Sequence, residues 1–331
     1  MLTKRVPAYF LFITFLISVA FSSFGFYCLN QNKTEVKSEV ASYCNLNIKR
    51  MNGVQFTRPL LFAEPACESP SLSGMKSDIE TIINSYKVQG TISTASVYVR
   101  EFKNAEWISI NEQEKYSPGS LLKVPELIAF YKMNENNPGI LDKVVTYQNA
   151  HSSNKNTNFN SKHIELGKSY SVKELLRYMI EYSDNDATMI LNSMIDKNTF
   201  GKVFTDLGLS EPDYKSTEYK ITTNEYSLFM KELYNGSYLT KANSEACLSL
   251  LNKCNFNSGL MNGLPANCIV AHKFGEGGLD IAPNFSESGI VYCGNAPYLV
   301  TIMTKGKEMK MLPSVISEIS KKVYEKMSSR S

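Results

Sequence analysis

Short stretches with the alternating hydrophobic pattern of β-strands lie towards both ends of this chain. Ala95, Val97 and Val99 share one face of a strand that begins at Thr94, and residues 106–110 return after a short polar turn. This pattern predicts a β-hairpin. Further strand-like runs near the C-terminus cover residues 268–274, 289–293 and 298–304.

The rest of the chain from residue 75 onward is dominated by apolar residues with the period of an amphipathic helix. A capping-box sequence, Thr222-Thr223-Asn224-Glu225, marks the start of one such segment. Helices are predicted over residues 75–87, 120–133, 171–182, 186–195, 222–234, 244–251 and 312–327.

Strands at both ends with only helices between them predict an α/β fold of the α+β type. The expected core is a five-stranded antiparallel sheet assembled from the two terminal portions of a domain that covers residues 75–328. An all-helical subdomain, about residues 116–265, would be inserted between the two portions. A cleft between sheet and subdomain is the natural place for a functional site.

The N-terminal segment has a different pattern. Residues 8–29 contain no charged side chain, and as a helix they would span roughly 33 Å, enough to cross a bilayer core. Lys4 and Arg5 favour a cytoplasmic location for residues 1–7. A cleaved signal peptide is the alternative, since Ala20-Phe21-Ser22 is an acceptable cleavage site. Both versions predict export, with the catalytic domain anchored outside the cytoplasm or secreted.

Composition is consistent with a globular protein and excludes several classes of partner. Of 331 residues, 43% are hydrophobic, and 35 Lys plus Arg oppose 32 Asp plus Glu for a net charge of +3. Lys4 and Arg5 supply most of this excess, so the exported part is nearly neutral. No nucleic-acid partner is expected. Residues 30–74 are polar without a sustained period and are predicted to form a spacer.

Six of the seven cysteines lie after the apolar segment. Export to an oxidising compartment favours disulfides over metal ligation or catalytic thiols. Cys268 and Cys293 lie on strands predicted to be neighbours and are the better pair, whereas Cys247 and Cys254 would be too far apart on one helix. The spacing of cysteines and histidines does not indicate zinc, so no metal and no cofactor is expected. Cys44 and Cys67 are candidates for a disulfide that closes the spacer.

Three Ser-x-x-Lys matches occur, at Ser73, Ser152 and Ser120. Only the third follows a turn-forming sequence, 116–119, and precedes an apolar helical run. Residues three apart on a helix are neighbours, so Lys123 would lie beside Ser120. A serine hydroxyl needs a base to become a nucleophile, and a lysine can serve if its pKa is lowered.

Two further motifs follow in order. Ser183-Asp184-Asn185 comes directly after the 171–182 helix, and Lys273-Phe274-Gly275 lies on a predicted strand. In this order the three motifs resemble those of the penicillin-recognising serine enzymes, specifically the branch similar to class A β-lactamases. The resemblance extends over most of the domain, including the order of helices and strands.

The resemblance implies a role for each motif. Ser120 would attack a lactam or peptide carbonyl with Lys123 as proton acceptor, and Ser183 would pass a proton to the departing nitrogen. Asn185 would hold Lys123 and the substrate, and Lys273 would hold Ser183 and attract the substrate carboxylate. Backbone N–H groups of Ser120 and of Glu276, just past Gly275, would form the oxyanion hole. Asp184 is interpreted as shaping its loop.

Two departures from the family pattern stand out. Phe274 occupies the position that usually carries a hydroxyl for the lactam carboxylate. The Glu-x-x-x-Asn pattern that supplies the water-activating base is missing, and Glu218 is the best, though weak, substitute. The three histidines, His151, His163 and His272, do not suggest a Ser-His-Asp triad, because the sequence contains no G-x-S-x-G elbow.

The sequence therefore predicts an exported serine hydrolase that opens β-lactam rings through an acyl-enzyme on Ser120. Such an enzyme would contribute to antibiotic resistance. Two alternatives stay open: a D-alanyl-D-alanine peptidase that acts on cell-wall peptides, and a sensor that binds a lactam or peptide without turnover. The missing base and Phe274 favour weak lactam turnover or the peptidase.

Overall fold

The fold is described from a computed structural model, which covers residues 44–51, 56–149, 157–159, 162–213, 219–278, 282–293 and 296–330. The apolar segment 8–29 and the spacer before residue 44 lie outside the described residues. Among the residues described, no helix combines the length and the hydrophobicity needed to cross a membrane.

A five-stranded antiparallel sheet lies at the centre of the compact unit that begins at Leu46. In chain order its strands are β3 (Ile92–Glu101), β4 (Trp107–Ile110), β7 (Ile269–Gly277), β8 (Asn284–Tyr292) and β9 (Tyr298–Gly306). Their spatial order is β4-β3-β9-β8-β7. The N-terminal hairpin thus joins the C-terminal strands through the β3–β9 pairing, which confirms the predicted sheet.

The helices agree with the predicted pattern, with one addition. They are α1 (Ser73–Val88), α2 (Lys123–Asn136), α3 (Val172–Glu181), α4 (Asn185–Met194), α5 (Lys197–Thr205), α6 (Thr223–Asn235), α7 (Lys241–Leu251) and α8 (Leu312–Ser328). Helix α5 was not predicted. It begins at an N-cap, Asp196, whose side chain accepts from Thr199 N, and buries Phe200, Val203 and Phe204. The capping box at Thr222 is present as predicted.

Two small hairpins complete the fold. Strands β1 (Leu46–Arg50) and β2 (Leu60–Pro65) pair within the segment predicted as a spacer. Leu61 and Phe62 are buried there, so this part of the segment packs on the domain. Strands β5 (Val144–Thr146) and β6 (Ser169–Ser171) pair at the edge of the helical region.

The central sheet separates two hydrophobic cores. Val97 and Val99 on β3 pack in one core with residues of α1 and α8, such as Ile79 and Ile316. Tyr98 points the other way, into the core shared with the helical subdomain. This arrangement follows from the two-residue period of a strand, which sends alternate side chains to opposite faces.

The cysteines agree only in part with the sequence prediction. Cys268 and Cys293 form the expected disulfide, with Cα atoms 5.2 Å apart, and Cys44 and Cys67 are each disulfide-bonded. Cys247 and Cys254 are free and buried. The general expectation of disulfides for all six cysteines was wrong for these two, whereas the expectation that they do not bridge each other is confirmed. Both behave as small apolar side chains in the cores.

Candidate active site

Ser120 lies in a 3-10 turn, Gly119–Leu122, that leads into α2. Gly119 has a positive φ of 50°, and a Cβ there would lie 1.8 Å from the carbonyl oxygen of Glu276. A Cβ on Gly275 would likewise lie 2.4 Å from Pro118 O. Two glycines therefore allow the backbone of the Ser120 turn to pack directly on β7, near the two N–H groups predicted as the oxyanion hole.

Lys123 is the first residue of α2 and is only 3% exposed. Its Nζ donates to Ser183 O at 2.7 Å, to Asn185 Oδ1 at 2.7 Å and to Ser183 Oγ at 3.2 Å. All three acceptors are neutral oxygens from one loop. The structure thus brings the first and second motifs together around one amine.

The loop between α3 and α4 is held in a strained conformation that presents Ser183. Ser183 has φ +55°, in the left-handed region that disfavours residues with a Cβ. Asp184 is fully buried, and its carboxylate accepts from Asp186 N at 2.9 Å and Ile164 N at 2.7 Å. Asp184 therefore shapes the loop, as interpreted from the sequence.

Lys273 brings the third motif to the same serine. It lies on β7 with 0% exposure, and its Nζ donates to Ser183 Oγ at 3.0 Å and to Phe274 O at 3.0 Å. The hydroxyl of Ser183 therefore lies between two buried amines, those of Lys123 and Lys273.

The two amines have lowered pKa values. The pKa of Lys123 is lowered to about 7, mainly by burial and then by repulsion from Lys273. Nearby acids oppose this shift, and Glu126 has the largest effect among them. Burial lowers the pKa of Lys273 to about 8. Of the described carboxylates, none lies within 4.0 Å of either amine as an ion pair. A substantial fraction of Lys123 is thus neutral near pH 7 and can accept a proton.

Phe274 does not line an open subsite. Its side chain is 4% exposed, stacks on Phe256 with ring centroids 4.4 Å apart, and packs near Phe285. The Lys273 Nζ lies 4.0 Å from the centre of its ring. The side chain that replaces the expected hydroxyl thus belongs to an aromatic cluster beneath the site.

Glu276 has a role that the sequence did not indicate. Its carboxylate accepts from Asn158 N at 2.9 Å, Asn158 Nδ2 at 2.7 Å and Phe159 N at 3.0 Å. The Phe159 ring packs edge-on against Phe256 and Phe285. Residues 157–159 are thereby fastened to β7 at the residue that follows Gly275.

The two histidines that the structure describes each lie beside a carboxylate. His272 Nδ1 lies 2.7 Å from Glu287 Oε1 in a buried pair on the other face of β7. His163 Nδ1 lies 3.7 Å from Asp184 Oδ1. Neither arrangement provides a base for Ser120. Glu218 lies outside the described residues.

Glu126 was not predicted as a site residue from the sequence. Its side chain is buried on α2, one helical turn beyond Lys123, and burial raises its pKa to about 7. The sequence did contain a signal, because Glu126 interrupts the apolar run from Leu121 to Phe130. An acid in such a run needs a specific reason to be buried.

Comparison with known families agrees with this geometry. A family model described as "Beta-lactamase enzyme family" matches residues 74–327, most of the chain. The protein belongs to the beta-lactamase enzyme family. Among curated protein sequences, no match was found.

Solved structures of β-lactamases and of PBP-A share the fold. A PBP-A mutant, described as an acyl-enzyme complex with penicillin G, has a TM-score of 0.65 and 18% identity over 78% of this chain and 97% of its own. A β-lactamase from Chitinophaga pinensis has a TM-score of 0.65 and 17% identity, covering 77% and 99%. The extended-spectrum β-lactamase TLA-1 has a TM-score of 0.65 and 19% identity, covering 78% and 99%.

Proposed function

We propose that this β-lactamase family member is an exported serine hydrolase that opens β-lactam rings through an acyl-enzyme on Ser120. The observation that carries the proposal is the hydroxyl of Ser183 between the amines of Lys123 and Lys273, at 3.2 and 3.0 Å. With Ser120 three residues before Lys123, this arrangement would give a path along which a proton moves from the nucleophile, through the lysine amine and the Ser183 hydroxyl, to the leaving group.

Acylation would begin with proton transfer from Ser120 to neutral Lys123. The Ser120 oxygen attacks the lactam carbonyl, and the negative charge on the carbonyl oxygen is stabilised by the N–H groups of Ser120 and Glu276. Ser183 donates its proton to the departing nitrogen and recovers one from Lys123. Lys273, hydrogen-bonded to Ser183, stabilises the hydroxyl oxygen while that proton moves.

The cause of the lowered pKa of Lys123 supports these roles. Burial and repulsion from the charged Lys273 both favour the neutral form of Lys123. One buried amine can then act as base while the other supplies positive charge. Asn185 fixes the Lys123 amine through its Oδ1 and leaves its amide N–H groups as donors for the substrate.

We also propose that the domain works outside the cytoplasm, with residues 8–29 as its anchor or signal peptide. The disulfide between Cys268 and Cys293 supports an oxidising compartment. The disulfide-bonded state of Cys44 and Cys67 supports the same location.

A D-alanyl-D-alanine peptidase is the second candidate, and Phe274 favours it. The aromatic side chain removes the hydroxyl expected for a lactam carboxylate and is buried against Phe256. A peptidase of this kind would be acylated by lactams at the same serine but would release them slowly.

The test is to expose the full-length protein to a chromogenic cephalosporin while recording hydrolysis and intact mass. Repeated turnover that is lost in Ser120→Ala supports the lactamase, whereas a single persistent adduct supports the peptidase. Ser73→Ala is the matched control, because Ser73 belongs to another Ser-x-x-Lys match whose lysine, Lys76, pairs with Glu68. An adduct that survives Ser120→Ala contradicts the assignment of the nucleophile.

A further inference from the structure

Glu126 combines burial with an unpartnered oxygen. Glu126 is 8% exposed, and its Oε2 atom is buried without a hydrogen-bond partner among the described residues. Helical side chains tilt towards the N-terminus, so the carboxyl group lies over the turn that contains Leu122 and Lys123. Oε2 has almost no surface open to solvent, so any water held by this carboxylate would contact its other oxygen, Oε1.

A cavity of about 340 Å³ lies beside this carboxyl group. Its walls include Glu126 and Leu122, together with Pro118 and Gly119, the two residues immediately before Ser120. A water molecule needs only about 10–15 Å³ of such space. The cavity therefore has room for several waters between the Glu126 side chain and the turn that holds the nucleophile.

The surroundings of Glu126 give its carboxyl group a pKa that suits a general base. Burial raises the pKa of Glu126 to about 7, while Lys123 and a hydrogen bond from Asn192 lower it. The other charged residues that line the cavity are Lys197, at the start of α5, and Asp213, which is exposed. A carboxyl group with a pKa close to the working pH is well matched to general-base catalysis.

We propose that Glu126 is the general base that activates the water for hydrolysis of the Ser120 acyl-enzyme. The inference rests on the proposed function and supplies the base that the missing Glu-x-x-x-Asn pattern leaves unassigned. Glu276 is less suited, because its carboxylate already accepts three N–H groups from Asn158 and Phe159.

Hydrolysis of the acyl-enzyme needs no reactant other than water. The water oxygen bonds to the ester carbonyl carbon as its proton passes to the Glu126 carboxylate. Collapse of the tetrahedral intermediate breaks the bond between that carbon and Ser120 Oγ. The proton then returns from Glu126 to Ser120 Oγ through intervening water and the Lys123 amine, which restores the free enzyme and releases the acid.

Glu126→Gln separates this step from acylation. With a chromogenic cephalosporin and rapid-quench mass measurement, we expect acylation within about threefold of wild type and deacylation slowed by about 10²- to 10⁴-fold. The Ser120 adduct then accumulates. Glu232→Gln is the matched control: Glu232 on α6 is also buried, with one oxygen unpartnered and its pKa raised to about 7, but it accepts from Ser237 and does not line the cavity.

Several outcomes overturn the inference while the proposed function stands. One is a Glu126→Gln protein that acylates at Ser120 and turns over like wild type. Another is accumulation of the adduct in Asp213→Asn or Glu218→Gln but not in Glu126→Gln. If the wild-type protein is not acylated at all, the proposed function fails instead.

Asn192→Ala provides a second readout that does not require a change at Glu126. Asn192 is exposed, and its hydrogen bond lowers the pKa of Glu126. Removing it should move the pH dependence of deacylation, measured after rapid removal of excess cephalosporin, to higher pH. An unchanged deacylation profile with an intact fold overturns the inference, even if Glu126→Gln fails to fold.

Discussion

Two clusters of buried cations in this protein differ in the oxygen atoms that surround them. In the proposed catalytic cluster, Lys123 and Lys273 donate to hydroxyl, amide and backbone oxygens. In the structural cluster, Lys231 on α6 donates to both carboxylate oxygens of Glu64 at 2.8 Å, and Arg100 pairs with the same carboxylate.

The difference shows how one residue type acquires two roles. Burial lowers the pKa of Lys231, but Glu64 raises it again, so a buried negative charge stabilises its ammonium form. Lys123 has neutral partners and a second cation nearby, and its pKa falls to about 7. Carboxylate pairing fixes β2, β3 and α6 together, while the lack of such pairing makes an amine available for proton transfer.

Lys123→Met should give the largest loss of activity. Removing the proposed general base is expected to lower the acylation rate constant by about 10²- to 10⁴-fold. The melting temperature should stay close to that of the wild-type protein, because methionine avoids the free-energy cost of burying an amine. Intact-mass kinetics with a cephalosporin measures the rate, and a variant that acylates at the wild-type rate would show that Lys123 is not the base.

Glu64→Gln tests the structural cluster. It leaves Lys231 and Arg100 without their shared counter-charge, and breaking a buried pair costs about 3–5 kcal/mol of unfolding free energy. Urea denaturation measures that loss. Activity per folded molecule should be unchanged, so a Glu64→Gln protein with normal stability but impaired acylation would remove the distinction between the two clusters.

The pH dependence of acylation gives a smaller, graded effect. Because the pKa of Lys123 is lowered to about 7, its neutral form is minor below that pH and dominant above it. The acylation rate constant should therefore rise about tenfold per pH unit at acid pH and level off above about pH 7. A rise that continues towards pH 10 would mean that the base has an ordinary lysine pKa.

Glu276→Gln should have the smallest effect. The amide keeps the shape of the carboxylate but weakens its hydrogen bonds to Asn158 and Phe159, at a cost of about 1 kcal/mol. Hydrogen exchange at these two backbone amides should speed up several-fold. The matched control is Glu174→Gln, whose carboxylate caps α3 through Ser171. Unchanged exchange in Glu276→Gln would show that the aromatic contacts of Phe159 hold this segment.

Local patterns were sufficient for most of the fold. The alternation at Ala95, Val97 and Val99 and the capping box at Thr222 depend on neighbours in sequence, and both appear where expected. Helix α5 and the β1–β2 hairpin were missed. Each is short and is stabilised by packing of a few side chains, such as Phe200 or Phe62, against distant elements.

For the site, the sequence by itself determined which residue types were available: a serine and a lysine three residues apart, a Ser-Asp-Asn loop and a lysine on a strand. Only the tertiary structure decided their electrostatics. Burial and the mutual repulsion of Lys123 and Lys273 arise from segments far apart in the chain, and so does the cavity beside Glu126. A pKa depends on desolvation and on nearby charges in space, and spacing along a sequence specifies neither.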